Sequence, residues 1–134
     1  DIIERCFSAP NILGIFTNLE NEQGKHRDWA LKVLSDLKQR PPTALLVTYH
    51  HIQRSKMSDL REVLLRDYQL ACCFLDDADF YEGVRAYLIE KDGHPKWSPL
   101  SFEEAANRKV ELYIGAEHYK FFLPTRTEMQ RTKD

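Results

Sequence analysis

The sequence lacks the features that announce several common classes of protein. No apolar run approaches the roughly 20 residues that cross a bilayer; a stretch such as "LACCFL" at 70–75 falls far short. Its five glycines (Gly14, Gly24, Gly83, Gly93 and Gly115) stand singly, so neither a G-x-G-x-x-G turn nor a Walker loop is present to cradle a phosphate. Three cysteines, two of them adjacent, make no disulfide framework and fit a reducing compartment. No excess of positive charge is present either. The formal net charge is -2, so nothing global pulls the chain toward a phosphate backbone. The most basic stretch, "RTEMQRTKD" at 126–134, is interrupted by Glu128 and Asp134 and reads as a solvated tail. No secretory signal is visible. The chain opens on "DIIERCF", within an amphipathic pattern and without methionine, which reads as an internal or processed segment.

What is present is helical periodicity. With 43% hydrophobic residues over 134 positions, the chain has enough apolar surface for a modest core in one domain or a piece of one. Ile2, Ile3, Cys6 and Phe7 share a face; Ile12, Phe16 and Leu19 form a stripe after Pro10. A polar break at Gly24 precedes "DWALKVLSDLKQR", with Trp29, Val33, Leu34 and Leu37 expected inward. The pair Pro41-Pro42 stops that helix and opens the next, so the β-compatible run "ALLV" at 44–47 is expected to be helical. The strongest helix covers 58–75, with Ser58 as its expected cap. Leu60, Val63, Leu64, Tyr68, Ala71, Phe74 and Leu75 line its broad apolar face. After the break "DDAD", Asp79 and Glu82 form a D-x-x-E start, with Phe80, Val84, Tyr87 and Leu88 inward. Ser101 and Glu104 form a second such start, for a helix ending near Gly115. The expected fold class is all-α.

No group of residues carries a reaction on its own. His50 and His51 are adjacent, and neighbours on a helix point about 100° apart, which does not suit one metal ion. Cys72 and Cys73 lie in an apolar run, where thiols pack as small hydrophobes, and they lack the C-x-x-C spacing. The "DDAD" carboxylates suit caps and a solvated turn. Neither a metal site nor a cofactor is indicated.

One stretch carries more information. "DFYEGVRAYLIEKDGHPKW" at 79–97 resembles the C-terminal signature of the 3-hydroxyisobutyryl-CoA hydrolase family, a branch of the crotonase (enoyl-CoA hydratase/isomerase) superfamily. The matching residues are Asp79, Phe80, Glu82-Gly83-Val84-Arg85-Ala86, Leu88-Ile89, Lys91-Asp92 and Pro95-Lys96-Trp97. Upstream, "ERCFSAPNILGIFTNLE" is similar to that family's I-x-x-C-F-S segment. "PPTALLVTYHHIQ" is similar to its S-P-T-S-L helix start, with Pro41 in place of serine. "LREVLLRDYQLACCFL" is similar to its L-x-E-V-L-x-x-E-Y-x-L helix, with Asp67 in place of glutamate. The likeness runs over residues 2–104 and fades after Glu104.

The resemblance implies that residues 1–104 are the helical C-terminal region of a crotonase-like acyl-CoA thioester hydrolase, followed by a divergent helix and tail at 105–134. In that family the oxyanion-hole amides and acidic catalytic side chains belong to a ββα core domain that precedes this region. No position here matches them, so no catalytic residue is assigned. The implied partners are a coenzyme A thioester and that core domain, with no membrane. The implied setting is mitochondrial valine breakdown. The helical region is expected to wall the acyl-CoA pocket, with Lys91 and Lys96 meeting phosphate and Trp97 covering the adenine. Alternatively, Trp97 anchors the turn onto the core while the lysines are merely solvated. Arg85 either meets a phosphate or forms a structural ion pair; Glu82 is expected to cap and Gly83 to permit close packing. A second reading is a hydrolase-like structural subunit of a mitochondrial ribosome, the only setting in which nucleic acid would be a partner.

Overall fold

The computed structural model describes residues 1–108 and residue 113. Among the described residues every regular element is helical, as the periodicity predicts, and no helix is long and apolar enough to cross a membrane. Short α1 (Ile2–Phe7) is capped by Asp1, whose carboxylate accepts from the Ile3 amide at 3.0 Å. Asn11 does the same for α2 (Ile12–Asn21), accepting from Gly14 at 2.8 Å. A single 3₁₀ turn at Gly24–His26 leads into α3 (Arg27–Lys38). Pro42 opens α4 (Pro42–Ser55), its missing N–H falling where the helix needs none, so "ALLV" is helical.

α5 (Leu60–Leu75) begins one residue later than the sequence suggests. Its cap is Asp59, which accepts from the Glu62 amide at 2.8 Å while Glu62 reaches back to the Asp59 amide at 3.2 Å. Ser58 is occupied elsewhere, donating to the Arg54 carbonyl and accepting from Arg66 at 2.7 Å. α6 (Ala78–Val84) also departs from expectation: its cap is Asp77, not Asp79, and it widens into a π turn over Arg85–Ile89. α7 (Phe102–Arg108) starts as predicted, with Ser101 Oγ accepting from the Glu104 amide at 3.1 Å. The boundary drawn after residue 104 thus falls inside a helix, while Gly115 and the tail lie outside the described residues.

The core sits where α1, α2 and α3 meet. Cys6, Ala9, Ile12, Ile15, Leu19, Ala30 and Leu34 form one buried cluster. Each buried leucine or isoleucine there contributes about 2 kcal/mol from apolar burial. Two contacts attach the later helices to it. The Tyr49 hydroxyl of α4 donates to the Ala9 carbonyl at 3.0 Å, and Phe102 of α7 meets Phe16 edge-on at 5.3 Å between centroids.

The apolar face of α5 does not join this core, contrary to the sequence expectation. No residue of α5 is buried, and Leu60, Leu64, Tyr68 and Leu75 are between 41% and 73% exposed. Phe80, Tyr87 and Leu88, also expected inward, are exposed, and so is Trp29. Spacings of four, four and seven put Leu60, Leu64, Tyr68 and Leu75 on one side of the helix. They form an exposed stripe along the helix.

Candidate functional site

The strand-like finish of the signature stretch is organised by one arginine. At the start of the π turn, the Arg85 guanidinium meets three carboxylates: Glu82 at 2.7 Å, Glu90 at 2.5 Å and Asp92 at 2.6 Å. It also donates to the His94 carbonyl at 3.3 Å. A planar, permanently charged fork is the side chain able to satisfy so many acceptors at once. The sequence places them within its reach: Glu82 lies one helical turn back, and Glu90 and Asp92 return on the turn beyond.

Glu82 is more than Arg85's partner. Its Oε1 also accepts from the Lys96 backbone amide at 2.7 Å, which ties the Pro-Lys-Trp segment to α6. The Arg85 fork, then the Lys96 amide, hold its carboxyl down to about 2. Arg85, and next the His94 amide, likewise lower Asp92. Glu82 therefore does not cap α6. Asp79, buried, instead accepts from the Ser98 amide at 2.8 Å and fixes the far end of the same segment.

The turn between these anchors has unusual backbone geometry. Lys91 adopts φ of 56°, which disfavours a residue with a Cβ by about 1–2 kcal/mol. Gly93, at φ of 69°, meets no such penalty, and its amide bonds back to the Ala86 carbonyl at 3.1 Å, while the Glu90 amide closes the π turn on the Arg85 carbonyl at 2.8 Å.

Trp97 completes the arrangement. Its indole N–H donates to the Gln39 carbonyl at the end of α3 at 2.8 Å. Its ring lies over Gly83, where an added Cβ would stand 3.3 Å from Cη2. Gly83 thus permits close packing, with the neighbour being a ring and not a helix. On the outer side, Trp97, Tyr87, His94, Pro95, Lys38 and Gln39 line an open groove of about 490 Å³.

Of the four residues singled out from the sequence, three meet in one unit. Arg85 and Lys96 share Glu82, and Trp97 packs beside it on Gly83. Lys91 belongs to the same turn, next to Asp92. Both lysines are exposed and stand outside the lining of the groove, beside it. Sequence reading missed Tyr87, Lys38 and His94 as groove residues. Tyr87 was assigned inward, and the contribution of α3 depends on a contact between residues 58 apart in sequence.

The other candidates resolve structurally. His51 Nε2 sits 2.6 Å from Asp67, so that nitrogen is engaged by a carboxylate. Among the described residues no three His, Cys, Asp or Glu side chains group to hold a metal. Burial, then Cys72 and Asp76, push the Cys73 thiol up, away from the reactive thiolate.

Comparison with known proteins places this geometry in a family. The family model described as enoyl-CoA hydratase/isomerase matches residues 1–114, past the point where the signature fades. A probable 3-hydroxyisobutyryl-CoA hydrolase of Arabidopsis thaliana is 34% identical over 85% of this chain and 31% of its own length. The mitochondrial 3-hydroxyisobutyryl-CoA hydrolase of Homo sapiens is 33% identical over 90% of this chain and 31% of its own. A solved carnitinyl-CoA dehydratase from Mycobacterium thermoresistibile superposes with a TM-score of 0.68 at 27% identity, over 96% of this chain and 34% of that one. The chain therefore spans about a third of the length of these relatives. It is an all-helical part of the crotonase-like fold, and it belongs to the enoyl-CoA hydratase/isomerase family.

Proposed function

We propose that this chain is the helical part of a mitochondrial acyl-CoA thioester hydrolase acting on 3-hydroxyisobutyryl-CoA, in valine breakdown, with its catalytic groups outside these residues. The supporting relatives carry that hydrolase activity in their names, and several are named mitochondrial. The exposed Leu60, Leu64 and Leu75 of α5, and the exposed Leu88 and Ile89, are apolar surface for docking onto a crotonase-like core, the part that would fill the remaining two-thirds of such a protein. Left uncovered, a stripe of this kind is an interaction surface.

The observation that carries the reading is the groove at Trp97. It pairs aromatic walls, Trp97 and Tyr87, with the cations Lys38, Lys91 and Lys96 at or beside it. This is a combination suited to a nucleotide: a planar base against a ring, phosphate against ammonium groups. Arg85, with three carboxylates around it, acts as the organiser that shapes the turn, and Lys91 and Lys96 meet the phosphates.

The test is an NMR titration of the chain with coenzyme A and with adenosine 3′,5′-bisphosphate, following the Trp97 indole N–H. The expected result is a saturable shift of that resonance, weakened in Lys96→Ala and Lys91→Ala. An indole resonance indifferent to both ligands, or equal affinity in both lysine variants, removes the nucleotide assignment.

A further inference from the structure

A second cavity, of about 300 Å³, opens between α4, from Val47 to Arg54, and the middle of α5, from Arg66 to Leu70, with Tyr113 also on its wall. Its polar wall is made by His50, His51, Arg54 and Arg66, with Val47 and Leu70 as apolar floor. Among the described residues no carboxylate lines it. Two groups there are buried and unsatisfied: the NH1 nitrogen of Arg66 and Nδ1 of His51. Arg66 spends its other terminal nitrogen on a neutral partner, Ser58 Oγ at 2.7 Å. Among the described residues neither Arg54 nor Arg66 has an ion pair; the ion-pair partners elsewhere in the fold are Arg5, His51 and Arg85.

That is an unusual expense for a folded chain. A desolvated guanidinium nitrogen without a counter-charge is destabilising, and removing both the charge and its need would be simple for a residue between two helices. The chain instead adds cations around it. Asp67 holds His51 from the opposite edge, at Nε2 and 2.6 Å. It thereby fixes the ring through Nε2 and leaves Nδ1 as a second buried atom without a partner.

We propose that this cavity is a binding site for a small phosphoryl-bearing anion, held by the free nitrogen of Arg66 and by His51 Nδ1, with Arg54 and His50 at its margin. A guanidinium fork suits the several equivalent oxygens of a phosphoryl group, and a second polar atom from the other helix, His51 Nδ1, holds the ligand between α4 and α5. The site shares no residue with the Trp97 groove. It does not depend on the nucleotide reading of that groove.

Calorimetric titration of the chain with inorganic phosphate tests it, beside parallel titrations with acetate and with the variants Arg66→Met, Arg54→Gln and Lys96→Ala. Saturable phosphate binding is expected, weakened roughly tenfold to a hundredfold in Arg66→Met, the scale of one charged hydrogen bond. A histidine-ring NMR spectrum of the unmutated chain gives a second readout, because phosphate should shift the His51 ring whether or not Arg66→Met folds. Absence of saturable binding, an unmoved His51 ring, or unchanged affinity in both arginine variants overturns the proposal. Acetate binding as tightly as phosphate overturns the phosphoryl class, and loss in Lys96→Ala alone would put the anion in the other groove.

Discussion

The indole nitrogen of Trp97 and the carbonyl oxygen of Gln39 are 2.8 Å apart, joining the signature turn to the last residue before the Arg40-Pro41 corner. This contact fixes where the Lys-Asp-Gly-His turn sits relative to α3, and so creates the groove wall that Lys38 and Gln39 supply. Trp97→Phe keeps most of the ring and deletes the donor. Chemical denaturation should show a loss of about 1 kcal/mol, the net worth of a typical hydrogen bond. No loss would mean that solvent serves Gln39 equally well and that the ring packing alone positions the turn.

Gly83 lies beneath the same ring, with an added Cβ 3.3 Å from Cη2 and 3.6 Å from Cζ3. Alanine in a helix interior gains about 1 kcal/mol over glycine. Here the tethered indole has to shift to admit it, so Gly83→Ala in the parent should fall short of that gain. In a Trp97→Phe background the smaller, untethered ring should let the full gain appear. A double-mutant cycle checks this; additive effects would sever Gly83 from Trp97.

The carboxyl of Glu82 is held down to about 2 from 4.5 by Arg85 and then by the Lys96 amide. A folded-state value below the unfolded one gives stability that is complete above about pH 4.5 and is lost as pH falls toward 2. Asp92, also lowered by Arg85, adds to the acid loss in the same direction. Glu82→Gln should therefore be less stable than the parent near neutrality, with the two converging in acid. Denaturation midpoints measured across the acid range decide it, and parallel profiles would remove Glu82 from the turn's stability.

Two copies of the local pattern D-x-x-E meet different fates, which show what the sequence holds. At Asp59 and Glu62 it makes a reciprocal capping box. At Asp79 and Glu82 it does not, because Ser98 claims the aspartate and Arg85 with Lys96 claim the glutamate. Helix order, the proline-opened α4 and the residues of the signature turn were legible because they rest on spacing and on short-range chemistry. The groove's α3 wall and the His51–Asp67 pair were not, since they depend on which helices come together. The α5 stripe was read as inward from its amphipathic pattern, a pattern that says a face wants cover and not which chain provides it. Asp59→Ala should cost about 1 kcal/mol and reduce helicity, whereas Ser58→Ala should spare the cap. Circular dichroism of the two variants separates them, and the reverse ranking would restore Ser58 as the cap.

Tyr113 is 5% exposed, stacks on Phe74 at 4.7 Å between centroids, and donates its hydroxyl to Asp77 Oδ2 at 2.7 Å. Asp77 is also the cap of α6, so this bond steadies the helix that carries Glu82 and leads into Arg85. A hydrogen bond to a charged acceptor is worth about 1.5–3 kcal/mol, and Tyr113→Phe should lose about that much. Burial, then the Asp77 carboxylate, push the phenol well above its ordinary 10. Because the folded value exceeds the unfolded one, the contribution is fully present below pH 10 and is lost as pH rises beyond it. The parent should therefore lose stability more steeply than Tyr113→Phe in alkaline solution, the difference between them narrowing as the unfolded tyrosine ionises. Denaturation midpoints of both proteins through the alkaline range provide the check, and a constant difference at every pH would show that the hydroxyl does not bond to Asp77 in the folded chain.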